Sequence, residues 1–182
     1  MKQYIKIVLT PAVASATLLL AGCGGNDGAA ISTDTRQNTA QQACDALKGK
    51  AISGATIASA SLVPAASPTP AYCKITAKID PSLNFELRLP DSWNGKLYYG
   101  GGGGYNGATP DASGFNLGAL LQGYATVNSD SGHQGSPLDA SFAMNDPNAA
   151  QLFGSLSIPT VMSSALDMVK TAYGAAPKHS YF

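Results

Sequence analysis

The clearest periodic signal is Asn84 to Leu89, NFELRL, where apolar and polar positions alternate strictly. A period of two puts Phe85, Leu87 and Leu89 on one face of a strand, which Pro90-Asp91 ends. Trp93-Asn94-Gly95 reads as a turn with Trp93 as its packing anchor, and Lys96 to Tyr99 opens another strand. Lys74 to Ile79 also alternates and predicts a strand. Upstream, residues 51–71 are rich in Ala, Ser and Pro and predict one strand followed by a Pro-rich loop. Cys44 to Lys50 reads as a short helical turn ended by Gly49.

Farther along, Phe115 to Gly123 predicts a short helix that Gly123 terminates, and Tyr124 to Asn128 a strand. Ser136 to Asn148 is polar and irregular. From Asn148 to Tyr173 the apolar positions Leu152, Leu156, Val161, Leu166, Met168 and Val169 take up a helical period. Pro159 is expected to divide or kink that helix. Gly174 to Pro177 ends it, and Lys178 to Phe182 begins a strand. This order of strands, then strand–helix–strand–helix–strand, predicts an α/β fold with a largely parallel sheet. In such sheets function gathers at the carboxyl ends of strands. Two loops fall there: the glycine run Gly100 to Gly104, and Asp130-Ser131-Gly132-His133-Gln134-Gly135.

The first residues follow a different logic. Lys2 and Lys6 precede a mostly apolar run, Ile7 to Leu20, too short for a comfortable membrane span. Leu20-Ala21-Gly22-Cys23 then closes the segment in the manner of a bacterial lipobox. Residues 1–22 are therefore expected to be a lipoprotein signal peptide, with Cys23 as the lipidated residue. The alternative is a plain secretory signal with an incidental cysteine. Residues 23–42 are small and polar and read as a flexible tether, and 43–182 as the folded portion. The expected location is exported, lipid-anchored to the outer membrane or the periplasmic side, with the membrane contacted through the anchor only.

Composition changes this picture little. Of 182 residues, 45% are hydrophobic and 12% charged, with no formal net charge. The chain can bury one medium core, and with no Lys/Arg run it lacks the footprint of a nucleic-acid binder. Cys44 and Cys73 remain once Cys23 is set aside. In an oxidising compartment such a pair predicts a disulfide, worth roughly 3–4 kcal/mol for the loop it closes; two free buried thiols are the alternative. Two cysteines and two histidines give little basis for a metal site.

Several separate blocks carry a family resemblance, in order: Arg88-Leu89-Pro90, Trp93-Asn94-Gly95-Lys96, the glycine run with Asn106-Gly107, Gly123-Tyr124-Ala125-Thr126, Asp130 to Gly135, and Tyr173-Gly174 with Ala176-Pro177-Lys178 and Ser180-Tyr181-Phe182. Together they resemble the tannase and feruloyl esterase family, which includes mono(hydroxyethyl) terephthalate hydrolases. The resemblance covers about Cys44 to Phe182. It implies an α/β-hydrolase that cleaves esters of aromatic acids such as gallate, ferulate or terephthalate half-esters. It further implies a serine nucleophile in a Gly-Cys-Ser-x-Gly-Gly elbow directly after the residues matching Ser180-Tyr181-Phe182, with the acid and histidine of the triad much later. The family's lid domain, which binds calcium, lies outside the segment too. The expectation is the N-terminal part of an α/β-hydrolase sheet, truncated before the nucleophile elbow and the lid, inactive alone and with no cofactor in this segment. The alternative is a non-catalytic lipid-anchored ligand-binding or interaction domain.

Within this reading the glycine run matches the loop after the third strand of an α/β-hydrolase, which supplies an oxyanion N–H. Glycine lets a substrate approach the backbone closely. Gly104 is the expected donor, with Gly103 next; a floppy loop that is merely glycine-rich is the alternative. Tyr105 and Asn106 either line the acyl pocket or fix the turn. Asp130 and His133 are expected to hydrogen-bond within their loop and shape the floor of the site, and His179 to be structural. Asp130, Ser131 and His133 are too close in one loop to form a Ser–His–Asp relay.

Overall fold

The computed structural model describes residues 38–182. The expected signal peptide at 1–22, Cys23 and most of the expected tether lie outside them. A helix starts within the segment read as tether: α1, Ala40–Leu47. Thr39 and Gln42 start it with a reciprocal cap. The Thr39 hydroxyl accepts the Gln42 N–H, and the Gln42 side chain accepts the Thr39 N–H at 2.8 Å. Asp91 accepts the Ala40 N–H at 2.6 Å, which seats the helix against the next layer.

Four strands follow as an antiparallel meander: β1 (Ala51–Ile52), β2 (Ala55–Val63), β3 (Tyr72–Ile79) and β4 (Leu83–Pro90). A disulfide joins Cys44 of α1 to Cys73 of β3, as the pair of cysteines predicted. Then come β5 (Lys96–Tyr99), α2 (Gly114–Leu121) and β6 (Ala125–Ser129). The chain continues through α3 (Phe142–Asn145), α4 (Pro147–Gln151), a π-helical turn at Leu152–Leu156, and α5 (Ser157–Tyr173), and reaches β7 (His179–Tyr181). The sheet order is β1-β2-β3-β4-β6-β5-β7.

The sheet is mixed rather than largely parallel. Only β5–β6 and β5–β7 pair in parallel; β6 inserts between β4 and β5 and runs antiparallel to β4. The reason is connection length. Parallel neighbours need a long crossover, which only the α2 and α5 segments provide, whereas β1 to β4 are joined by short turns or a loop.

The core lies where α1 and α5 cover the sheet. Leu47, Val161, Met168 and Val169 pack with Phe85, Leu87, Leu89, Leu97 and Val127, all wholly or almost wholly buried. Trp93 stacks on Tyr173 with ring centroids 4.4 Å apart. Its Nε1–H donates to the Lys96 carbonyl at 2.8 Å, so it does anchor the turn before β5.

Pro159 does not divide the helix. It sits in the first turn of α5, and the helical run continues across it from the π turn upstream. The irregularity lies one turn earlier, as the π turn, where the Ser157 N–H reaches back to the Leu152 carbonyl. Pro159 can give no N–H to the Ser155 carbonyl, so the wider turn forms directly upstream of it. The stretch expected to be irregular, 136–148, holds α3 and the start of α4. Asp146 caps α4 by accepting the Asn148 and Ala149 N–H groups, with Pro147 as the first helical residue.

Candidate active site

The three parallel strands β5, β6 and β7 all end on one edge. The glycine loop leaves β5 there, and the Asp130 loop leaves β6 beside it. Between them lies a cavity of about 190 Å³, lined among others by Gly101, Gly102, Gly104, Ser129, Ser131 and Phe182. Phe153, carried on the π turn, forms part of the opposite wall.

The glycine loop is held in place, not loose. The Gly100 N–H donates to the Val127 carbonyl at 2.8 Å, and the Tyr105 N–H to the Pro137 carbonyl at 2.8 Å. Gly104 has φ +58°, and a Cβ there would stand 2.3 Å from the Pro137 carbonyl oxygen. Only glycine meets both conditions. Gly103 differs: a Cβ there would meet nothing within 4 Å, and the residue does not line the cavity, whereas Gly101 and Gly102 do. The backbone N–H groups of Gly101 to Gly104 find no hydrogen-bond acceptor among the described residues.

Asn106 locks the loop to β6. It is buried with φ +51°. Its side-chain amide donates to the Ser129 carbonyl at 2.6 Å and to Ser131 Oγ at 2.9 Å, while its backbone N–H donates to Gly103 at 3.0 Å. Tyr105 is half-exposed, its ring 6.0 Å from that of Phe153.

Asp130 is almost wholly buried and hydrogen-bonded. It accepts from the Gly132 N–H at 2.9 Å, the Asn84 N–H at 3.0 Å and the Asn84 side chain at 2.6 Å. His133 departs from expectation. Neither ring nitrogen makes a hydrogen bond to the described residues. The ring instead lies flat on Phe142, centroids 3.5 Å apart, with the edge of Phe153 nearby. Burial lowers its pKa below the ordinary histidine value, against the opposing pull of Asp130 and the Tyr105 backbone. His133 is therefore held by aromatic packing rather than by hydrogen bonding, and it does not itself line the cavity. Asp130, Ser131 and His133 form no relay, since the Asp130 carboxylate is engaged by Asn84 and Gly132. His179 is exposed on β7.

A buried polar network beneath the site escaped the sequence reading. Arg88 is wholly buried and pairs with Glu86, which also meets Lys74 at 3.0 Å. Arg88 donates to the Pro110 carbonyl at 2.8 Å and to Asn128 Oδ1 at 3.3 Å; Asn128 donates to the same carbonyl at 2.7 Å. Two buried side chains thus hold the segment that leads out of the glycine loop. Behind Ser129, the Tyr99 hydroxyl lies 2.7 Å from Ser129 Oγ, and burial pushes the Tyr99 pKa up. The only sequence signal was a charged pair on the polar face of β4, which a period of two does not distinguish from a solvent face. Among the described residues, no three His, Cys, Asp or Glu side chains come together.

A mixed sheet with a glycine loop and a second loop at the carboxyl edge of its parallel strands is the N-terminal part of an α/β-hydrolase sheet. The tannase and feruloyl esterase family model matches residues 69–182. The chain belongs to that family. It is 38% identical over 146 residues to an uncharacterized esterase of Agrobacterium fabrum, covering 71% of this chain and 26% of that protein. It is 30% identical over 137 residues to the mono(2-hydroxyethyl) terephthalate hydrolase of Piscinibacter sakaiensis, covering 64% of this chain and 23% of that one. Among solved structures, feruloyl esterase B from Aspergillus oryzae superimposes with a TM-score of 0.67 at 21% identity, over 79% of this chain and 32% of that one. The chain spans about a quarter of the length of these curated relatives.

Proposed function

We propose that this chain is the N-terminal part of the catalytic domain of a serine carboxylic ester hydrolase acting on esters of aromatic acids, and that it contributes the oxyanion-binding loop. The observation that carries the reading is the cavity at the ends of β5, β6 and β7. There, backbone N–H groups of a braced glycine loop have no acceptor among the described residues and stand beside Phe182, the residue after which the family's nucleophile is expected. Ester hydrolysis passes through a tetrahedral oxyanion. Fixed N–H donors lower that barrier, and losing one donor costs roughly 3–4 kcal/mol. Gly104 is the proposed principal donor. Its φ of +58° and its clash-limited contact with Pro137 fix the backbone at that point.

The nucleophile, its general base and the acid belong to sequence following Phe182 in this reading, as does the lid that sets the choice of ester. The 182-residue chain alone is therefore inactive. The mature protein is exported and lipid-anchored through Cys23, with a small aromatic ester as its substrate.

The test compares the 182-residue chain with a polypeptide that carries the same sequence and continues through the Gly-Cys-Ser-x-Gly-Gly elbow, the lid and the later acid and histidine of the triad. Ethyl ferulate, methyl gallate and mono(2-hydroxyethyl) terephthalate serve as probes. The longer polypeptide should hydrolyse at least one and lose that activity to a fluorophosphonate; the chain alone should do neither. Fluorophosphonate-sensitive turnover by the 182 residues would refute the assignment of roles.

A further inference from the structure

Ser131 combines three properties. Its φ is +62°, a left-handed conformation seldom taken by residues with a Cβ and concentrated at functional sites. It lines the same cavity as Gly101, Gly102 and Gly104. And its hydroxyl is used on one side only. Asn106 Nδ2 donates to the Ser129 carbonyl, a group that can only accept, which fixes the orientation of the Asn106 amide. The same Nδ2 reaches Ser131 Oγ at 2.9 Å, so Ser131 is the acceptor there. Its own O–H then finds no acceptor among the described residues. From behind, Ser129 Oγ accepts the Ser131 backbone N–H at 3.2 Å, and the Tyr99 hydroxyl steadies Ser129.

We infer that the Ser131 hydroxyl is a further catalytic residue, donating a hydrogen bond to the ester carbonyl oxygen as that oxygen becomes an oxyanion. This rests on the esterase reading above. When the nucleophile's oxygen bonds to the carbonyl carbon, the π pair moves onto the carbonyl oxygen, which the glycine-loop amides and the Ser131 O–H then hold. The Ser131 proton is not transferred. Collapse of the intermediate returns the pair to carbon and expels the alkoxide, which is protonated by the general base that deprotonated the nucleophile. Donation from Asn106 into Ser131 polarises the hydroxyl and makes it a better donor. A side-chain hydroxyl beside backbone amides is an established form of oxyanion stabilisation.

The experiment uses the longer polypeptide defined above, with p-nitrophenyl benzoate as the probe and the variants Ser131→Ala and Ser131→Gly. Alanine removes the hydroxyl and keeps the strained backbone; glycine removes the hydroxyl and relieves it. Both should lower kcat by about 10²–10³-fold with KM little changed, and the glycine variant should melt no lower than wild type. A Ser131→Gly enzyme with wild-type kcat, or a rise in KM alone, overturns the Ser131 role while leaving the esterase reading in place. A folded wild-type polypeptide that hydrolyses nothing overturns the esterase reading and the Ser131 role together.

Discussion

The side chain of Asn106 occupies the space a Cβ on Gly102 would need, its Cγ only 2.2 Å from that position. The two residues interlock. Absence of a side chain at Gly102 lets Asn106 turn inward, and there it ties the glycine loop to Ser129 and Ser131.

Gly102→Ala should therefore cost roughly 1–3 kcal/mol by overpacking, and Asn106→Ala a similar amount by leaving the Ser129 carbonyl unpaired. The double variant Gly102→Ala/Asn106→Ala should cost clearly less than the two singles together, because the small side chain at 106 makes room. Urea denaturation of all four proteins measures the coupling; simple additivity would refute the interlock.

Arg88 sits at the centre of the buried network. Arg88→Leu leaves Glu86 with only its partly exposed Lys74 partner and strips one donor from the Pro110 carbonyl. A loss of about 3–5 kcal/mol is expected, since a buried charge is left largely uncompensated. Adding Glu86→Gln should recover part of it. A denaturation midpoint for Arg88→Leu close to wild type would show that the network carries no stability.

The Cys44–Cys73 bond clips α1 to β3. Replacing both cysteines with alanine should lower stability by about 3–4 kcal/mol through the freed loop of the unfolded chain. Treatment of the wild type with a reductant strong enough to open the bond should approach the same midpoint. Equal stability of oxidised wild type and the double variant would contradict this.

His133 gives the protein a predictable acid response. Its folded pKa is lowered by burial, so the unfolded chain takes up the proton first as pH falls. The stability that His133 confers is fully present above the ordinary histidine value of 6.5. It is lost progressively as pH drops from there through the lower folded value. Melting curves between pH 8 and pH 5 should show a steeper loss for wild type than for His133→Phe, which keeps an aromatic ring against Phe142. Parallel curves would mean that His133 does not titrate in this window.

The strands were legible because alternation in NFELRL and in Lys74 to Ile79 is a direct image of the pleat. Both loops at the strand ends were legible because glycine-rich stretches between strands have few other uses. The start of α1 was missed because its signal is local: Thr39 followed three residues later by Gln42, inside a polar stretch that reads as a tether. Strand direction was misjudged because hydrophobic pattern carries no sense of it; only the lengths of the connections do. His133 was expected to hydrogen-bond because imidazole is polar, but Phe142 and Phe153, distant in sequence, close over it. The burial and pairing of Arg88 with Glu86 were not read because a buried charged pair and a solvent-facing one look alike in a period of two. Which N–H groups lack acceptors depends on three strands meeting at one edge, and no single segment encodes that.

The mixed sheet sets an order of assembly. The meander from β1 to β4 brings together residues close along the chain, so its ladders can zip early at small cost in loop entropy. The parallel pairs of β5 with β6 and β7 must wait for whole helices to cross over. The amides where β5, β6 and β7 end are therefore expected to be among the last protected from exchange with solvent, with the cavity taking its shape only once the rest of the sheet exists to support it.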